Sequence, residues 1–124
     1  MDALFATADI YASAHRSDNI GQGIARAMAH GKSVVATDFG GGRDYLDATC
    51  GYPVPFALSA VKYGLCAEIV TADLTAALRT AAEKIANGDL SMGRVAMERL
   101  EARNSPPALG LAMQRAAYTL LGIE

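Results

Sequence analysis

The chain has no tryptophan, three phenylalanines, two cysteines, four prolines and only a slight surplus of acidic over basic residues. Each shortage removes a class of function. Eleven basic residues against thirteen acidic ones give a net charge of −2 over 124 residues, and the basic ones are scattered. Nucleic-acid binding rests on clustered Lys and Arg that neutralise phosphates, so no nucleic-acid partner is expected. No apolar run approaches the roughly 20 residues that span a bilayer. Met1-Asp2-Ala3-Leu4 lacks the basic start and long apolar core of a secretory leader, which makes the cytoplasm the expected location. Cys50 and Cys66 have no CxxC motif around them, so a zinc site is not expected and two reduced, partly buried thiols are.

What remains is a sequence 52% hydrophobic and 19% charged, the balance of a globular chain of one domain at most. Ala8–Ala14 reads as a short strand covered on both faces, and Ser33–Thr37 as a second, more apolar one. Between them Ile24, Ala27 and Met28 recur at helical spacing, and Gly31 stands where a helix end needs a positive φ. Strand, helix and strand in that order predict a right-handed parallel crossover. Gly40-Gly41-Gly42 opens a short helix over Arg43–Asp47, and Tyr52–Phe56, with its prolines, reads as an edge strand.

Residues 57–72 have no clear period and read as a loop or irregular hairpin. From Asp73 the chain changes character. Leu74, Ala77, Leu78, Ala81 and Ile85 form a helical stripe, with Asp73 as N-cap and Asn87-Gly88 as the stop. Ser91 caps a second helix to about Arg103. Ser105-Pro106 starts a third, with Leu109, Met113, Ala117 and Leu120 on one face. These helices are expected to cover the sheet. The expected fold is therefore a three-layer α/β half-domain, 1–56 being strand–helix–strand and 73–124 covering helices.

The chemistry concentrates at one turn. Asn19-Ile20-Gly21-Gln22-Gly23 places two glycines directly before a helix and after the first strand, where open α/β sheets bind ligands. A helix start offers unpaired N–H groups and a positive dipole end, an anion site if glycine lets a phosphate approach. A plain packing turn explains the same residues equally well. Gly40–Gly42 is a second such turn. His15, at the first strand's end, is where a general base would sit, although a polar strand-end residue is the simpler reading. His30 beside Gly31 ends the helix and meets its negative pole. Asp18 reads either as a ligand carboxylate or as a turn cap, and Arg26 as a solvated helix residue.

The stretch from Ala8 to Val54 resembles the signature region of retaining glycosyltransferases of family 4, the GT-B group 1 type. Cys50-Gly51-Tyr52-Pro53-Val54-Pro55-Phe56 is similar to that family's "CGYLVPY" segment. The segment from Ala67 to Leu74 is similar to its following acidic segment. The resemblance implies a Rossmann-like nucleotide-sugar domain in which the "GFG" amides face the donor diphosphate. Here Asn19 stands for the first glycine, Ile20 for the aromatic, and Gly21 keeps its place. The family's two glutamates, with seven residues between them, hold the donor sugar and the ribose. Asp18 falls on the first and keeps the charge with one methylene fewer. Arg26 falls on the second, where a guanidinium has donors but no acceptor for a ribose diol.

The implied site is thus Asp18 as the catalytic-site carboxylate, with Ile20, Gly21, Gly23 and Arg26 against the nucleotide-sugar, and no metal or cofactor. Nothing in the chain corresponds to the family's earlier strands or acceptor domain. The expectation is an ancestral transfer of a hexose from an NDP-sugar to an acceptor hydroxyl with retention, the chain alone being inactive or dependent on a missing partner. The rival expectations are a non-catalytic assembly module made from such a domain, and a small nucleotide-binding domain without transferase activity. An outer strand lacking a neighbour predicts a homo-oligomer across the Ala8–Ala14 edge or by exchange of terminal helices.

Overall fold

The computed structural model describes residues 2–122; Met1, which opens the stretch read for a leader, lies outside the described residues. The order is α1 (Asp2–Thr7), β1 (Ile10–Ser13), α2 (Gln22–Ala29), β2 (Ser33–Thr37), a 3-10 turn (Gly40–Asp44), β3 (Tyr52–Val54), β4 (Phe56–Val61), β5 (Gly64–Ile69), α3 (Thr71–Ala86), α4 (Ser91–Asn104) and α5 (Pro106–Leu121). Strands β1, β2 and β3 form one parallel sheet in that order. β4 and β5 form a separate antiparallel hairpin.

The central strand explains the layering. Every residue of β2 is buried, and alternate side chains leave opposite faces of a strand. Val34 and Ala36 join Ile24, Ala27 and Met28 of α2 and Ala96 of α4 in one core. Val35 joins Val54 and Ala81 of α3 in the other, with Leu74, Ala77 and Leu78 packed against it. The molecule is therefore an α/β three-layer arrangement with a short parallel sheet. The approach of α4 to α2 is close because Gly93 has no side chain. A Cβ there would strike the Gly31 carbonyl, at a turn where Gly31 itself holds φ +65°.

Several elements differ from the sequence expectation. β1 is not covered on both faces, since Ala12 is exposed and its neighbours are half-buried; among the described residues β1 pairs only with β2. The short helix lies at Gly40–Asp44 as a 3-10 turn rather than at Arg43–Asp47. Residues 56–69 make a regular hairpin with register Phe56 to Ile69 and Val61 to Gly64. Its period was hidden because both faces of β4 are largely open. Val70, not Asp73, is the N-cap of α3, and Asp73 sits in the first turn, where its charge meets the helix dipole. Asp89 does the work expected of Ser91, accepting the Ser91 N–H at 3.0 Å and its hydroxyl at 2.5 Å. The third helix, α5, buries none of its residues and packs against α4 rather than covering the sheet.

Candidate functional site at the carboxyl ends of the parallel strands

Two loops leave the same end of the sheet, residues 14–21 after β1 and 38–46 after β2, and they pack backbone against backbone. Gly21 and Gly40 each hold φ +72°, a left-handed conformation that other residues adopt at a cost. Contact would forbid a side chain anyway. A Cβ on Gly21 would lie 2.9 Å from the Gly42 backbone, and one on Gly41 would strike the Asn19 carbonyl. The Gly41 N–H donates to the Asp18 carbonyl at 3.1 Å and fixes the contact.

The Asp18 carboxylate turns inward on its own loop. Its Oδ1 accepts the N–H of Gly21 at 3.0 Å and of Ile20 at 3.3 Å. Gly21's amide is therefore taken by Asp18 rather than offered outward. The first intrahelical bond of α2 runs from the Ala25 N–H to the Gly21 carbonyl at 2.9 Å, so the N–H groups of Gln22, Gly23 and Ile24 precede the ladder. Gln22 and Gly23 line a cleft of about 310 Å³ together with Asp18, Asn19 and Ile20, whereas Ile24 is buried in the core. Ile20 is exposed there. Gly23 has a second reason to lack a side chain, because a Cβ would strike the Tyr11 hydroxyl. Arg26 lies one turn further along α2, exposed, and is not among the lining residues. The structure thus brings Asp18, Ile20, Gly21 and Gly23 together and leaves Arg26 outside the cleft.

The surrounding charges are held by one another. Arg43 Nε pairs with Asp38 at 3.3 Å. Arg16 pairs with Glu68 of β5 and donates to the Cys66 sulfur at 3.2 Å. The hydrogen bond that Arg16 donates to Glu68 is the main reason the guanidinium's pKa is pushed above its ordinary value. The Ala67 N–H donates to the Arg16 carbonyl at 2.8 Å, which docks the hairpin at the end of β1. Sequence reasoning missed both pairs. No local signal could reveal a contact between Arg16 and Glu68, 52 positions apart.

His15 is held at both ring nitrogens, with Nε2 2.9 Å from the Phe39 carbonyl and Nδ1 3.1 Å from the Ser13 hydroxyl. A carbonyl only accepts, so Nε2 carries the proton, and in the neutral ring Nδ1 accepts from the Ser13 hydroxyl. The ring works as a strut between the two loops. His30 ends α2 as expected. Cys50 and Cys66 are both free and buried. Among the described residues no cluster of His, Cys, Asp or Glu is arranged to hold a metal, and no helix is long and apolar enough to cross a membrane.

No family model matches the chain, and no curated protein matches it.

Proposed function

We propose that this chain is a nucleotide-sugar domain of the GT-B, family 4 type that has kept a diphosphate-binding turn and lost transfer chemistry. One observation carries the reading. The start of α2 at Gln22 and Gly23, where backbone N–H groups precede the helical ladder, lines a cleft at the carboxyl end of a parallel strand, on a turn held in shape by glycine-to-glycine loop packing. The donor phosphates lie against these amides, and Ile20 lies under the sugar or base.

Binding is weak for three physical reasons. The Asp18 carboxylate already sits on the amides of Ile20 and Gly21, so a phosphate meets a like charge. Arg16 and Arg43, the cations nearest the loops, are paired with Glu68 and Asp38. Arg26 offers no acceptor to a ribose diol. Dissociation constants for UDP-glucose, UDP-GlcNAc and GDP-mannose are roughly millimolar or weaker, about 4 kcal/mol of binding.

The test is a titration followed by amide NMR. UDP-glucose shifts the Gln22, Gly23 and Ile24 resonances in the millimolar range, and Asp18→Asn, which keeps the acceptor oxygen but drops the charge, tightens the response. Unmoved amides at saturating nucleotide-sugar would overturn the binding site. Micromolar affinity would overturn the loss of function. Arg26→Glu sharpens ribose recognition if the second acidic position still matters, and leaves it unchanged if the turn has lost that role.

A further inference from the structure

Helix α5 has encoded ends and almost no cover. Ser105 precedes Pro106 at the first helical position, and Gly122, at φ +64°, closes the other end. Pro at a helix start and a left-handed glycine at its finish are helix boundaries written in sequence. Yet all of Leu109, Leu111, Met113, Tyr118, Leu120 and Leu121 are exposed, Met113 at 73% and Leu120 at 88%. Single exposed apolar residues are ordinary, whereas a whole helix of them marks an interaction surface.

The pattern on the helix selects the occupant. Leu109, Met113, Ala116 and Leu120 are spaced four, three and four residues apart, the spacing of the apolar seam of a coiled coil. The flanking positions are Ala112, Ala117, Gly110 and Thr119, all uncharged. Arg115, the sole charged residue of α5, lies roughly 120° round the helix from the seam's centre. Two copies laid seam to seam therefore bring no like charges together and bury no unpaired charge.

We infer that α5 pairs with α5 of a second copy, antiparallel about a two-fold axis. In an antiparallel seam Met113 faces the partner's Ala116, and Leu109 faces the partner's Leu120. That register has a second consequence. Leu109 lines a cleft of about 590 Å³ between α2 and α4, whose other walls include Ala25, Ala29, Tyr45, Met97 and Leu100. The partner's Leu120 arrives beside Leu109 at its mouth, and by symmetry each copy reaches the other's cleft. Two heptads of seam make a small contact beside the roughly 800 Å² per partner of a stable interface, and contacts at the cleft add to it. The β1 edge is the weaker candidate, since β1 is four residues long and short edges pair poorly. The inference stands independently of nucleotide-sugar binding.

The test begins with light scattering of the full chain at micromolar concentrations, where twice the mass of one chain is expected. Met113→Glu and Leu120→Glu change exposed side chains and leave the circular dichroism and the melting of the body unaltered, while weakening the dimer about thirtyfold or more. A monomeric unsubstituted chain overturns the proposal. So does a dimer that survives both changes and breaks with Tyr11→Lys, which would place the contact at β1. Orientation is read separately, because Cys50 and Cys66 are buried. An equimolar mixture of Leu109→Cys and Leu120→Cys crosslinks on mild oxidation as a heterodimer. Crosslinking of Leu120→Cys to itself instead would show a parallel pair and overturn the antiparallel register.

Discussion

Helices α3 and α5 are both sixteen residues long, and the more polar of the two is the one that is packed. α3 carries Asp73, Arg79, Glu83 and Lys84, and still lays Ala81, Leu74, Ala77 and Leu78 on the face of β2 and β3. α5 carries one charge and buries nothing. An apolar stripe in a sequence states that a helix has a face to hide. It does not state whether the surface that hides it belongs to the same molecule. In α3 the stripe and the sheet are in one chain, whereas in α5 no residue is buried by the chain itself, and under the inference above a second copy brings the complementary surface.

The contrast can be broken first at its buried end. Ala81 is fully buried between Val35 and Val54, so Ala81→Glu places an unpaired charge in the core and costs at least about 3 kcal/mol. Chemical denaturation should show an unfolded or severely destabilised chain, where Met113→Glu on α5 changes the monomer's stability by less than about 0.5 kcal/mol. Equal losses from the two would erase the distinction between the helices.

A smaller effect is expected with pH, at a contact that ties α4 to the loop before β3. Asp47 accepts the Thr49 hydroxyl and N–H and pairs with Arg99 at 2.6 Å. The Thr49 hydroxyl bond is the largest cause, with the Thr49 amide and Arg99 adding to it, and together they hold the Asp47 carboxyl far below its ordinary range. A depressed folded-state value means stability that is complete above the unfolded carboxyl's pKa of about 3.9 and lost as pH falls through the folded one. Asp89, lowered mainly by the Ser91 hydroxyl, acts in the same sense. Denaturant midpoints should be flat from neutral pH to about 5 and fall below it. Asp47→Asn should flatten that fall by about 1 kcal/mol or less, because the pair is half-exposed and screened by solvent. A fall unchanged in Asp47→Asn would assign the acid sensitivity to other groups.

The smallest expected change sharpens the picture of α5. Gly110 stands in the helix interior, and a Cβ there would meet nothing within 4 Å. Gly110→Ala should stabilise the helix by about 0.5–1 kcal/mol. The measurement is helical ellipticity of the monomeric Leu120→Glu background. A loss of helix would mean that the backbone at this position is not the one described.

Much of the body was legible in the sequence. The buried run of β2, the core face of α2 and the stripe of α3 are local patterns with a single structural meaning, and Gly31 marked its helix end through a required positive φ. The hairpin was half-hidden because strands exposed on both faces carry no alternation. The helix starts at Val70 and Leu90 escaped because neither has a capping side chain bonded to the first turn. At the site, the position of the turn was readable but its occupancy was not. Which acceptor takes the Gly21 amide depends on how Asp18 folds back, and the sequence offered the ligand carboxylate and the turn cap as equals.

Because the two loops meet through main-chain atoms at Gly21, Gly40, Gly41 and Gly42, the shape of this end of the molecule is stored where alanine scanning has nothing to remove. Truncating Asn19 or Ile20 deletes chemistry and keeps the contour. Adding one methyl at a glycine keeps the chemistry and deforms the contour. A substitution survey of these loops therefore separates the two kinds of information position by position: losses at the glycines report geometry, and losses at their neighbours report recognition.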